Sequence, residues 1–182
     1  MISTKKDLDE YIEYETRDFK HRALLKVPFD LYESQIIAKF LVLLRKTEYH
    51  INCKHKIRKL AYMLMLKRKQ CKYGIHIPVN VFDKGLSIAH LGTIVVNGNA
   101  VIGKNCRIHV GVVVGANGEN VRGGDVPVIG DNVYLGPGAK IFGGIYIADG
   151  CKIGANAVVN KSCKEKNGIL VGIPAKNHCS GQ

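Results

Sequence analysis

Two histidines carry side chains that could transfer a proton. His90 lies in SIAHLGTIVVNGNAVIG, a stretch that is otherwise almost entirely small or apolar. His109 lies in CRIHVGV, nineteen residues further on, close to one full turn of three six-residue steps. An imidazole in such surroundings either packs or works as a general base, because its charge changes near neutral pH. The spacing allows the two rings to stack on adjacent coils or to approach each other across a subunit boundary. The six cysteines (Cys53, Cys71, Cys106, Cys151, Cys163 and Cys179) contain no C-x-x-C pair. That spacing fits neither a disulfide framework nor a standard zinc site, and it reads as free thiols in a reducing compartment. No Ser-His-Asp order or activated cysteine emerges, so the pattern offers no side-chain nucleophile for covalent catalysis.

The elements that hold these residues follow from a second period. Ile129, Leu135, Ile141, Ile147, Ile153 and Val159 recur every six residues, and Gly130, Gly136 and Gly154 directly follow three of them. Upstream, Val96, Ile102, Ile108 and Val114 keep the same step, with Gly103 after Ile102. Neither a helix nor an alternating strand makes a six-residue period. A solenoid of short parallel strands and turns does, with the repeated apolar side chain pointing into a narrow interior. Small residues such as Gly138, Ala139 and Ala157 suit its tight corners. The register breaks once, where GANGENVRGGDVP (residues 115–127) forms a glycine-rich loop. A polar loop leaving a rigid scaffold is a common place for function.

Residues 1–73 read as helical. SQIIAKFLVLLRKTEYHI places Ile36, Ile37, Phe40, Leu43 and Leu44 on one face, with Pro28 in VPF as an N-terminal signal. HKIRKLAYMLMLKRKQCKYG repeats the pattern with Ile57, Leu60 and Leu64 on the apolar face and Gly74 as the stop. Its neighbourhood holds Lys54, Lys56, Arg58, Lys59, Lys67, Arg68, Lys69 and Lys72 and no acidic residue, within a chain of formal net charge +12. That basic face is either a solvated surface or, through residues 54–72, a contact with an anionic membrane. No nucleic-acid motif accompanies it, so no nucleic-acid partner is expected. The N-terminus shows no secretory signal and no apolar run, FLVLL included, is long enough to span a bilayer; a cytoplasmic location is expected.

The repeat block, the loop GANGENVRGGDVPVIG, the following GPGAKIFGGI and the terminal VGIPAK together resemble left-handed parallel β-helix acyltransferases. The nearest branch is that of serine acetyltransferases and the O-acetyltransferases of bacterial polysaccharide clusters. The resemblance implies a mainly β fold, a left-handed parallel β-helix over 74–176, a small N-terminal α-helical region over 1–73 and a C-terminal tail over 177–182. It implies acetyl-CoA as co-substrate, no metal, and a homotrimer with sites between subunits, with pairing of trimers left open. His90 falls at the family's catalytic histidine, and His109 is a second catalytic candidate. The coenzyme would run past Gly115, Ala116, Pro137, Ala139 and Ala155. Backbone N–H groups around Gly115 and Ala116 would serve the oxyanion, and Lys140, Lys161 and Lys176 would meet its phosphates.

Three positions depart from the serine enzymes. Ala89 stands where they carry Asp before the histidine, Ile75 where a second acid pairs with it, and Val126 where a histidine precedes the loop's closing proline, here Pro127. Something else must therefore orient His90: a backbone carbonyl, Asn80, Asp83 or His109. A site without groups for an ammonium and a carboxylate favours another hydroxyl, a sugar in a surface polysaccharide or its precursor, over L-serine as the alternative. The tail NHCSGQ lacks the terminal isoleucine with which several serine acetyltransferases dock the next enzyme of cysteine synthesis. Two other classes compete. One is a zinc carbonic anhydrase-like β-helix with His76, His90 and His109 as ligands, although the paired histidine spacing of that family is missing. The other is a non-catalytic assembly protein that uses the solenoid as a rod.

Overall fold

The computed structural model describes residues 1–19, 26, 30, 32–118 and 125–178. Three helices precede the repeats: α1 (Lys5–Thr16), α2 (Glu33–Asn52) and α3 (Lys56–Tyr73). The capping box of α1 was open to reading in the sequence. The Thr4 hydroxyl accepts from the Asp7 amide, and the Asp7 carboxylate accepts from the Thr4 amide at 2.8 Å. Pro28 lies outside the described residues, and α2 begins at Glu33 without a side-chain cap. Ile37, Phe40, Leu41 and Leu44 of α2 enter the core.

The apolar face assigned to α3 needs correction. Ile57, Leu60 and Leu64 are exposed, whereas Leu66 and Gln70 are buried. At about 100° per residue, Leu66 lies opposite Ile57 and Leu64 on the helix surface, so only one of the two stripes can face inward. Docking chooses the stripe with a polar anchor: Gln70 Nε2 donates to the Ile77 carbonyl at 2.7 Å, and α3 thereby closes the N-terminal end of the solenoid. The helix stops at Gly74, whose φ of 71° is left-handed.

The remainder is a solenoid with three parallel faces. One sheet holds β1 (Ile75–His76), β3 (Ile94–Val96), β6 (Val113–Gly115), β9 (Lys140–Phe142) and β12 (Val158–Val159), in that order. A second holds β4 (Val101–Ile102), β7 (Val128–Ile129) and β10 (Tyr146–Ile147). The third runs from β2 (Ser87–Ile88) through β5 (Arg107–Ile108), β8 (Tyr134–Leu135) and β11 (Lys152–Ile153) to β13 (Ile169–Gly172). There the antiparallel β14 (Ala175–Asn177) closes it, joined through a cis Ile173–Pro174 bond.

All ten residues of the six-residue series, from Val96 to Val159, are buried in one core. Ala139 is buried there too, so its methyl group belongs to the interior and is not a coenzyme contact as the resemblance implied. Corners require left-handed backbone, supplied by Asn105, Asn132, Asn156 and Asn167 and by Gly111, Gly138 and Gly150. Gly138 is demanded twice over: its φ is 73°, and a Cβ there would come 2.1 Å from Asn156 Oδ1.

One buried cluster ties the helices to the first coil. Arg45 of α2 donates to Glu15 of α1 at 2.6 Å and to Glu48 at 2.8 Å. It also donates to the Phe82 and Asp83 carbonyls, each at 2.9 Å. Glu15 Oε1 accepts the Gly85 and Leu86 amides at 3.0 and 3.1 Å. A buried guanidinium is tolerated only when its donors are used in this way.

Candidate active site

Arg45 sets α2 against the first coil, and the N-terminal end of the same helix therefore meets the chain just past β2. Here Glu33 Oε2 lies 3.2 Å from His90 Nδ1, and Glu33 Oε1 accepts the Leu91 amide at 2.7 Å. These two bonds hold the Glu33 carboxyl below its ordinary range, the amide contributing more than the imidazole. Its place in the first turn of α2 adds to that preference for negative charge. A carboxylate on Nδ1 stabilises the tautomer that carries its proton there, leaving Nε2 free to accept one.

None of the side chains expected from sequence holds His90 among the described residues. Asn80 pairs with Asn52 at 2.9 Å, Asp83 accepts the Tyr11 hydroxyl and the Lys84 amide, and the His109 ring centroid is 6.5 Å away. Glu33 escaped the sequence reading because it lies 57 residues from His90, in no shared motif. Its only local mark is an acid at a helix start.

His90 faces outward, its side chain 64% exposed. It sits at the rim of a cleft of about 780 Å³ between α1 and α2 and the face of β2 and β5. Tyr14, Arg17, Asp18, Ser34, Asn105 and Arg107 give that cleft a polar lining of both charges. His109 is more enclosed: its Nε2 is buried without a hydrogen-bond partner among the described residues, and its ring meets Tyr134 edge-on with centroids 5.0 Å apart. Burial first, then Arg107 and His90, push its basicity down, which keeps it neutral near pH 7.

The other candidates fall into three groups. Pro137 and Ala155 lie on the same edge of the solenoid as His90 and His109. The Gly138 amide bonds the Val110 carbonyl at 2.9 Å, and the Asn156 amide bonds the Pro137 carbonyl at 2.9 Å, which stacks these corners coil on coil. Both residues are exposed. Gly115 and Ala116 sit on a different edge, at the foot of the inserted loop, where the Asn117 amide reaches the Asp125 carbonyl at 3.3 Å. Residues 119–124 of that loop lie outside the described residues. A single chain therefore does not bring Gly115 and Ala116 to His90.

Of the lysines, Lys140 is engaged by the Gly111 carbonyl of the neighbouring corner, so its ammonium is a structural tie and not a free phosphate contact. Lys161 and Lys176 come together, with Lys164, around a second cleft of about 440 Å³ at the C-terminal end. From β2 to β13 there are four strand steps, so this cleft lies about 19 Å along the solenoid from His90 at the usual interstrand spacing. Among the described residues, no three His, Cys, Asp or Glu side chains assemble into a metal site, and His76 is in the first strand of a different sheet from β2, which His90 follows.

Comparison with known proteins supplies the class. A model of the bacterial transferase hexapeptide (six repeats) matches residues 127–161. No curated protein matched the sequence. A Neisseria gonorrhoeae serine acetyltransferase crystal structure superposes over 96% of this chain and 67% of its own, with a TM-score of 0.71 and 25% identity. Soybean serine acetyltransferase shares the fold at 24% identity and TM-score 0.70, covering 96% of this chain and 70% of its own. A serine acetyltransferase in complex with CoA does so at 21% and 0.70, over 96% of this chain and 71% of its own.

In fold, the chain is thus a left-handed β-helix with an N-terminal helical part, similar to acyltransferases built from hexapeptide repeats. Its enzyme class is that of an acetyltransferase.

Proposed function

We propose that the protein transfers the acetyl group of acetyl-CoA to a hydroxyl, with His90 as the base and a sugar of a surface polysaccharide or its precursor as the acceptor. The observation that carries this reading is an outward-facing imidazole, paired with Glu33, at the rim of a polar cleft of about 780 Å³. Such a volume is ample for a sugar or a larger glycan precursor. With Nδ1–H donated to Glu33, His90 Nε2 removes the proton as the acceptor oxygen attacks the thioester carbonyl. The carbon–sulfur bond breaks as the carbonyl reforms, and the imidazolium returns its proton to the departing thiolate. The amides of Gly115 and Ala116 stabilise the oxyanion when a neighbouring copy brings them to His90.

The coenzyme follows the edge marked by His90, His109, Pro137 and Ala155 toward the cationic cleft of Lys161 and Lys176. A homotrimer fits this division of the site between chains. It also explains Val101, Val128 and Tyr146, which are exposed, apolar and in register on the outer face of the three-stranded sheet. The five described cysteines are free thiols, which accords with the cytoplasm.

L-serine is the second reading, supported by the neighbouring structures, one of which contains serine. Incubation with acetyl-CoA and each acceptor class, with release of the CoA thiol followed, separates the two. Turnover on a nucleotide-linked or lipid-linked sugar supports the first, and efficient turnover on L-serine replaces it with the second. His90→Ala lowers the rate by about 10²-fold or more if the imidazole is the base. A loss of only a fewfold refutes that role.

A further inference from the structure

α3 presents its more apolar stripe to solvent. Ile57 is 87% exposed, Leu60 61%, Leu64 59% and Met65 53%. Ile57, Leu60 and Leu64 follow one another at three- and four-residue spacing and form a continuous ridge on the side opposite Leu66. At the helical angle, Lys56 and Lys67 border this ridge on one side, and Arg58, Arg68 and Lys72 border it on the other. Helix α3 carries seven cations and no carboxylate. Among the described residues, none of these cations takes part in an ion pair. Leu66 and Gln70 fasten the opposite side to the end of the solenoid, so the ridge forms an outer end face of the molecule.

We propose that α3 is a docking face for an anionic phospholipid surface, on which the helix lies flat with Ile57, Leu60 and Leu64 dipping below the headgroups. A large apolar ridge flanked on both sides by long cationic side chains matches that interface chemically. The alkyl stems continue the apolar surface while the charged ends reach phosphate. Among the described residues, no helix is long and apolar enough to cross a membrane, so the contact is peripheral. A second copy is a poorer occupant, since pairing α3 with itself sets cation against cation with no carboxylate between them. Nucleic acid is poorer as well, because its phosphates would leave the central ridge unmatched. The proposal does not depend on the acceptor.

The protein is sedimented with vesicles of phosphatidylcholine alone and of phosphatidylcholine with about one third phosphatidylglycerol, at physiological salt. Binding to the anionic vesicles and little to the neutral ones is expected. Leu60→Ser combined with Leu64→Ser keeps every charge and weakens binding by about tenfold or more. Lys67→Glu combined with Arg68→Glu does the same while sparing the ridge. Both pairs are on the exposed face, and circular dichroism checks that the variants are folded. Equal binding to both vesicle types, no binding to either, or unchanged binding by the Leu60/Leu64 variant overturns the proposal. So does a fall in particle mass for that variant in light scattering, which makes the ridge a contact between copies. Retention of duplex DNA in place of anionic vesicles overturns it too.

Discussion

The Glu33 carboxylate, at the first turn of α2, meets both Nδ1 of His90 and the amide of Leu91, two contacts made across 57 and 58 residues of chain. One side chain thus fixes an imidazole and the backbone that carries it. In the proposed mechanism Glu33 is a positioning residue: it touches His90 and need not touch the acceptor.

Glu33→Gln retains the size of the side chain but removes its charge. Acetyl transfer in this variant is expected to fall about 10- to 100-fold in kcat, with KM for acetyl-CoA changed little. Steady-state kinetics by thiol release checks this. A rise in KM alone would assign Glu33 to acceptor binding, and an unchanged kcat would remove it from the mechanism.

The same contact predicts a pH dependence of stability. The folded carboxyl titrates below its ordinary value of 4.5, so the folded state binds fewer protons there than the unfolded chain. The stabilisation is fully present above about pH 5 and disappears as pH falls through the lower, folded value. Melting temperatures of the wild type and Glu33→Gln should therefore differ at pH 5 and above. They should converge as the medium is made more acidic than pH 4. A gap that widens in acid contradicts the contact.

Arg45→Met should be among the more damaging substitutions outside the repeats. It leaves Glu15 and Glu48 buried without their counter-charge and removes donors from two backbone carbonyls. Breaking a buried pair on one side costs about 3–5 kcal/mol. Urea unfolding measures it. Because α2 also carries Glu33, activity should fall further than the unfolded fraction accounts for.

Thiol chemistry tests the packing independently. Burial pushes the Cys106 thiol up to about 12 and, aided by Cys163, the Cys151 thiol up to about 11. Cys71 is exposed on α3. Brief treatment of the native protein with iodoacetamide, followed by peptide mass spectrometry, should alkylate Cys71 and spare Cys106 and Cys151. Alkylation of Cys106 at the same rate as Cys71 would contradict the closed interior.

The legible part of this protein is the part with a period. Each step from Val96 to Val159 sets one apolar side chain inward and returns the chain to the next face, so six-residue spacing is itself the geometry of the coil. The stop at Gly74 was readable for a similar reason, since one residue's backbone freedom decides it. α3 shows where local reading ends. Its sequence contains two stripes, Ile57–Leu60–Leu64 and Tyr62–Leu66–Tyr73, and hydrophobicity favours the wrong one. The choice fell to Gln70, whose partner at Ile77 belongs to the next element.

The sequence alone therefore determined the solenoid and marked His90 as a residue that could move a proton. Only the tertiary structure decided what holds that histidine. Short-range patterns encode which face of an element is apolar. They do not encode where the end of a helix comes to rest, and that was settled by Arg45 binding two elements at once. Glu33 reaches His90 because a buried guanidinium twelve residues along the same helix has its own hydrogen bonds to satisfy.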